Sequence, residues 1–345
     1  AYRRQRQMCI RDSGHTVEMV RNVTDVDDSI LPKARELGID FLQLAEQEME
    51  RFGQDMDALN MRPAKFEPRA TESIDGMLDL IQQLQDGGHT YVSEGTTYFD
   101  VTTFTSFGKL SHLTEEQMKE LAAERGGNPD NPAQRNPLDF VLWQPSADDE
   151  PKWDSPFGVG RPGWHIECSA MCMNALGPTI DIHGGGGDLI FPHHECEIAQ
   201  SEAVNEAPFS RYWVHAGLVA YQGTKMSKSL GNLVFVSDLR TEIDPRAIRL
   251  ALMAHHYRSD FEWFDDEGPK AQTDLDLLIE ACAIAEPLSE GQLMDEVREA
   301  LDDDLNAPRA RELLLESAQI IVNNPSQRHE SCVAAAAALC GIEIR

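Results

Sequence analysis

Trp164, His165, Glu167 and Cys168 fall in one short segment; His183 and then Pro192-His193-His194-Glu195-Cys196-Glu197 follow. These residue types bind metals and carry protons. Proline is a natural first residue of a helix. The spacing after Pro192 therefore predicts a helix with His193 and Glu197 at i and i+4 on one face. Side chains so placed bind one metal ion in helical zinc motifs. A thiolate such as Cys168 makes a donor set soft enough to prefer zinc. A His-x-x-x-Glu pair is also an ordinary surface pair, and the residues alone leave both readings open.

Two further segments carry chemistry. Asp181-Ile182-His183 leads into glycines 184–187, then Asp188 and Leu189. Glycines after a strand let the backbone approach a ligand closely. The entropy cost of such a run favours a functional turn over a plain one. The segment KMSKSLGN, 225–232, offers two lysines and two serines. Such a loop holds a triphosphate and follows charge onto the leaving pyrophosphate.

KMSKS resembles the second signature of class I aminoacyl-tRNA synthetases. GWHIECSAM, DIHGGGGDLIFPHHECEIAQSEA and KMSKSLGN together resemble cysteinyl-tRNA synthetases and the related mycothiol-pathway ligases, which join cysteine to glucosaminyl-inositol. NVTDVDD, PLDFVLW and HYRSDFEW extend the resemblance from Gly14 nearly to the end. It implies an α/β fold: a Rossmann-like class I catalytic domain with a C-terminal α-helical domain. It also implies one zinc ion per monomer, with ATP and magnesium as co-substrate.

Residue by residue, the resemblance makes Cys168, His193 and Glu197 zinc ligands. The zinc would hold the substrate thiolate and so reject serine without editing, because a hydroxyl is a poor replacement there. Trp164 would wall the cysteine pocket, with His183 beside it. Gly186, Gly187 and Asp188 would meet the adenylate, Val219 would lie against the adenine, and Lys225 and Lys228 would act on the ATP phosphates. The implied reaction activates L-cysteine to cysteinyl-adenylate and passes the acyl group to an acceptor. ERGGNP at 124–129, HAGLV, GNLVFVS and the short stretch after KMSKS point to the amine of glucosaminyl-inositol. His183, Glu197 and Leu230 point to the alternative acceptor, the cysteine tRNA.

The elements that position these groups follow from periodicity. HTVEMVRNVTDVDDSI reads as a strand over 16–23 running into an acidic turn. Residues 40–86 carry helical apolar spacing. GGHTYVSEGTTYFDV reads as a hairpin with Gly95 near its turn. LTEEQMKELAAERGG opens with a Thr-x-x-Gln capping box and stops at its glycines. A long loop over 126–162, broken by LDFVLW, is expected to be functional. TIDIHGGGGDLIF reads as strand, glycine turn and apolar exit, and RYWVHAGLVAY as one further strand. From about Pro269 the chain reads as amphipathic helices with an Asn-Pro turn at 324–325. The expected domains are a foreign or disordered 1–13, a catalytic 14–264 with an insertion at about 87–162, and a helical 265–345.

At 345 residues the chain has room for about two domains of roughly 100–200 residues. Hydrophobic residues at 41% and charged residues at 26% are ordinary for a soluble protein. The apolar run 332–342 is about half of the roughly 20 residues a membrane span needs, so no membrane partner is expected. A net charge of −29 repels polyanions on average and argues against DNA; the blander reading is that it only aids solubility. Seven cysteines without framework spacing suggest a reducing, cytoplasmic setting.

The opening AYRRQRQMCIRDS shows neither alternation nor helical periodicity and reads as foreign sequence. The resembled family places a zinc-ligating cysteine and a HIGH-type ATP signature before NVTDVDD, and neither is found there. The chain as written is therefore expected not to form cysteinyl-adenylate. Cysteine-dependent ATP–pyrophosphate exchange by the purified chain tests this, and measurable exchange refutes it.

Overall fold

The computed structural model describes residues 14–26, 29–227, 230–326 and 329–344. Residues 1–13 and Lys228 lie outside the described residues. The chain forms two compact units, one from Met19–Glu48 with Ala64–His215, the other mainly from Met49–Pro63 and Ala216–Arg345.

The first unit packs helices on a small antiparallel sheet. Its four strands run in the order Thr90–Ser93, Thr96–Phe99, Phe140–Gln144, Arg161–Pro162. The first two form the hairpin expected around Gly95. The helix Ile74–Asp86 buries Ile74, Met77, Leu80, Ile81 and Leu84, one apolar stripe at helical spacing. These join Phe99, Leu142, Trp143, Ile166, Met171, Phe191 and Ala199 in one core. Burial of these side chains is the main stabilising term, roughly 1.5–3 kcal/mol for each large one.

The helix Glu115–Glu124 opens with the expected capping box: the Gln117 N–H donates to Thr114 Oγ1, and the Thr114 N–H donates to Gln117 Oε1. The strand expected over 16–23 is a correction. Only two isolated parallel bridges form, Val20 to Phe66 and Val23 to Arg69. Arg21 N donates to Phe66 O and Val23 N to Pro68 O. The partner strand carries Pro68, which has no N–H to complete the ladder between them.

The second unit has a three-stranded sheet ordered Thr224–Lys225, Val219–Tyr221, Phe261–Trp263, antiparallel and then parallel. Helices Pro245–Met253, Glu267–Ile284, Gln292–Asp302, Ala307–Asn323 and Val333–Leu339 share one apolar core, including Leu250, Trp263, Leu275, Leu278, Leu314 and Ile342. Ala247, Met253 and Trp263 share this core with the helices that follow residue 264. Buried Arg249 donates to Leu59 O and Cys340 O.

RYWVHAGLVAY is also corrected: it makes two strands, Ser210–Ala216 and Val219–Tyr221. Between them the Gly217 N–H donates to Tyr257 O at 2.7 Å. A Cβ at Gly217 would collide with the Ser259 backbone. No helix among the described residues is long and apolar enough to cross a membrane.

Thr114→Ala removes the side-chain cap of Glu115–Glu124. It is expected to cost about 1 kcal/mol, read as a lowered urea midpoint at unchanged slope.

Candidate active site

Separate local devices carry the expected ligands. Trp164, His165 and Cys168 ride on the helix Trp164–Leu176, which starts where the Gly163 N–H donates to Leu142 O. His183 lies on the strand Ile180–Gly186, which pairs with Ser210–Ala216. His193 and His194 occupy a π-type turn, Ile190–His194, and Glu197 lies on the helix Glu195–Asn205 that follows. Within Ile190–His194 Phe191 is the non-helical residue, extended at φ −137° and ψ 136°, so the helical backbone resumes at Pro192, as expected, and runs into Glu195–Asn205. His193 and Glu197 still meet, with His193 Nε2 3.8 Å from Glu197 Oε1.

Cys168, His193 and Glu197 each place a ligand atom within 4.8 Å of the others. All three are buried. His183, His194 and the same Glu197 form a second such set. His183 Nε2 and His194 Nε2 stand 3.2 and 3.9 Å from Glu197 Oε2. Even so, neither Glu197 oxygen has a hydrogen-bond partner among the described residues. The 3.2 Å approach of His183 is close enough but not aligned for one. A carboxylate only 1% exposed and unbonded is costly to keep ionised. A cation among these donors relieves that cost, and thiol, imidazole and carboxylate together suit a borderline-soft divalent metal.

The electrostatics agree. Burial, then Glu197 and Glu167, pushes the Cys168 thiol well above its ordinary value. Burial, then Glu197, pushes Cys172 up to about 12. Burial holds His193 well below the usual imidazole value, takes His165 down to about 4, and with His183 takes His194 down to about 2. The imidazoles are therefore neutral and offer lone pairs, whereas the thiol must lose its proton as a metal binds. Asn22, from NVTDVDD, donates to Cys168 Sγ at 2.8 Å.

Trp164 is 39% exposed and stacks on His193 with centroids 4.2 Å apart. Trp213 lies 4.8 Å from His183 and 5.1 Å from His194. The glycine run is not the turn expected. Gly184, Gly185 and Gly186 complete the strand, and Gly187-Asp188-Leu189 forms a short 3₁₀ turn. Small size is what Gly185 supplies, since a Cβ there would lie 2.8 Å from His194 Cε1 and 2.9 Å from Leu189 Cδ1. Arg125 Nη1, from ERGGNP, donates to Asp188 O at 2.6 Å and also to Phe191 O. Glu195 accepts from the backbone N–H groups of Gly108, Leu110 and Ser111.

Val219 and Lys225 belong to the other unit. Val219 is on the central strand of its sheet and Lys225, exposed, on an edge strand. Asn232 Oδ1 accepts from Ser227 N at 2.9 Å, and its Nδ2 donates to Thr224 Oγ1 and Lys225 O.

The unit built from Met19–Glu48 and Ala64–His215 therefore holds Trp164, Cys168, His183, His193, Glu197 and the glycine run. Sequence reasoning assigned no role to Asn22, Arg125, Glu195, Trp213 and His215, nor to His165 and His194. Trp213 and His215 alternate on one strand and so share a face, a readable signal. Nothing in the spacing pointed to the partners of Arg125 or Glu195, which are backbone groups distant in sequence.

Glu197→Gln is expected to stabilise the metal-free protein by on the order of 1–3 kcal/mol, read as a raised urea midpoint, because a buried carboxyl group without hydrogen bonds is removed. Added zinc is expected to raise the melting temperature of the parent, and the same change is expected to abolish that rise. Urea unfolding of the metal-free proteins checks the first, and thermal melts with and without zinc check the second.

Residues 4–272 match the family described as tRNA synthetases class I (C) catalytic domain, a span that takes in most of the segment set aside as foreign. Over 305 residues the chain is 48% identical to the L-cysteine:1D-myo-inositol 2-amino-2-deoxy-alpha-D-glucopyranoside ligase of Thermobispora bispora, covering 88% of this chain and 76% of that protein. The protein of the same name from Streptosporangium roseum is 48% identical over 301 residues, covering 87% and 74%. In fold, the chain is similar to Mycobacterium tuberculosis methionyl-tRNA synthetase in complex with methionyl-adenylate, with TM-score 0.65, 16% identity, and 94% of this chain and 79% of that one covered. A match this long, with relatives this similar, means that the chain belongs to the class I (C) tRNA synthetase catalytic-domain family.

Proposed function

We propose that this chain is the core of a ligase that activates L-cysteine with ATP and transfers it to the amine of glucosaminyl-inositol. The observation that carries this reading is the 48% identity to relatives of that name over most of both chains. The donor set around Glu197 supports the choice of cysteine, since a thiolate suits a zinc-like ion held by Cys168, His193 and Glu197. Bound there, zinc would supply a soft site for the substrate thiolate.

The chain's own residues would do the rest. Trp164, stacked on His193, closes one side of the pocket. The narrow strand at Gly185 and Gly186 lets the backbone approach the adenylate. Lys225 and Lys228 would bind the phosphates as MgATP, and Val219 would lie against the adenine. In the first step a cysteine carboxylate oxygen attacks the α-phosphorus and pyrophosphate leaves. In the second, the amine attacks the acyl carbon and AMP leaves, giving an amide. Catalysis by this set is positioning and phosphate stabilisation. A cytoplasmic, reducing setting would keep Cys168 available as a thiol.

A second reading, charging of cysteine tRNA, is favoured by the tRNA-synthetase description of the family and by the buried Glu197. The net charge of −29 favours a cationic amine over a polyanion. The full-length protein from the source gene, given labelled cysteine and ATP, is expected to label glucosaminyl-inositol. Labelling of tRNA alone overturns the proposal.

A further inference from the structure

His165 and His193 face one another through the same ring atom, Nδ1 to Nδ1 at 2.8 Å. Two ring nitrogens this close form a hydrogen bond, which needs one proton between them: one ring donates it and the other accepts. The two arrangements have opposite consequences for the ligand set. If His165 donates, the His193 proton sits on Nε2 and points toward Glu197 Oε1, which at 3.8 Å is too far for a hydrogen bond. It also occupies the lone pair that a metal needs. If His193 donates, its Nε2 is bare on the side of Glu197.

We propose that His165 is a positioning residue for the metal site, accepting the Nδ1 proton of His193 and thereby presenting His193 Nε2 as the ligand atom. The proposal rests on the reading of Cys168, His193 and Glu197 as a metal site. Metal-bound histidines ordinarily donate their second N–H to a carboxylate, a carbonyl or a water, which fixes both tautomer and ring angle. Here an imidazole fills that place. The surrounding rings hold the pair at the required angle. Trp164 stacks on His193 with the planes 25° apart, and Phe140 meets the edge of His165 at 5.6 Å.

The placement follows from local structure. His165 is the second residue of the helix Trp164–Leu176, and Cys168 lies on that helix about one turn later. One short helix thus delivers both a metal donor and the group that orients another donor from a separate segment. That also accounts for the polar His165 beside Trp164 in GWHIEC, at a helix start where the Gly163 N–H donates to Leu142 O of the Phe140–Gln144 strand.

The test is zinc affinity of the full-length protein from the source gene, by competition with a chromophoric chelator, together with the visible spectrum of the cobalt(II)-loaded form. His165→Leu removes the acceptor and is expected to weaken zinc binding by about 10–100-fold and to alter the cobalt ligand-field bands. His165→Phe keeps a ring against Phe140 and still lacks the acceptor, so the same loss is expected. His165→Asn places a carboxamide oxygen where Nδ1 stood and is expected to stay near the parent in both readouts. Parent-like affinity in His165→Leu and His165→Phe, or an Asn variant as impaired as Leu, overturns the proposal. Cys168→Ser separates the two levels. If it loses zinc while His165→Leu and His165→Phe do not, only the positioning role fails. If the parent binds no zinc, or Cys168→Ser binds as the parent does, the metal-site reading fails and this proposal with it.

Discussion

The Glu197 carboxylate is buried and has no hydrogen bond to either oxygen among the described residues. Removing such a group from water without partners costs several kcal/mol. That cost would be offset by a cation held at this point. Imidazoles of His183, His193 and His194 and the thiol of Cys168 converge on it from a strand, a π-type turn and a second helix. Burial keeps the His193 and His194 imidazoles neutral, so these two do not supply the charge themselves. They supply lone pairs, which is what a metal ion requires.

Glu195, two residues earlier, shows what the same side chain does when satisfied. It is as buried as Glu197, yet it accepts from the N–H groups of Gly108, Leu110 and Ser111. Its charge is spread over backbone dipoles and serves to hold a loop. Arg125 does the converse, donating to the carbonyls of Asp188 and Phe191 on either side of the turn that leads to His193. The segment 104–125 is therefore tied to the ligand-bearing segment by charged side chains on backbone groups. Buried contacts of this type are stiff, and metal or adenylate geometry tolerates little slack.

Much of the local structure was legible from residue order. The stripe Ile74, Met77, Leu80, Ile81, Leu84 announced its helix, Glu94-Gly95 its hairpin, and Thr114 with Gln117 its cap, because each is a short-range pattern with a short-range cause. The misreadings have tertiary causes. Pro68 interrupted the ladder of 19–23 from the partner side. Gly217 broke an apolar run because the backbone at Ser259 lies against it. The glycines at 184–186 proved to be a strand that must be thin, not a turn that must be left-handed.

The motifs by themselves pointed to the family and to a candidate metal set, since Cys168, His193 and Glu197 and the KMSKSLGN string are legible without coordinates. They could not decide that Glu197 would be buried and unbonded, because ECE at the start of a helix reads equally well as a solvated face. Nor could they assign His165 to His193, residues that lie on separate elements and meet through one nitrogen each. Spacing reports on neighbours along the chain. Burial and hydrogen-bond partnership depend on what arrives from elsewhere, and only the tertiary structure brings a thiol, several imidazoles and a carboxylate into one dry space.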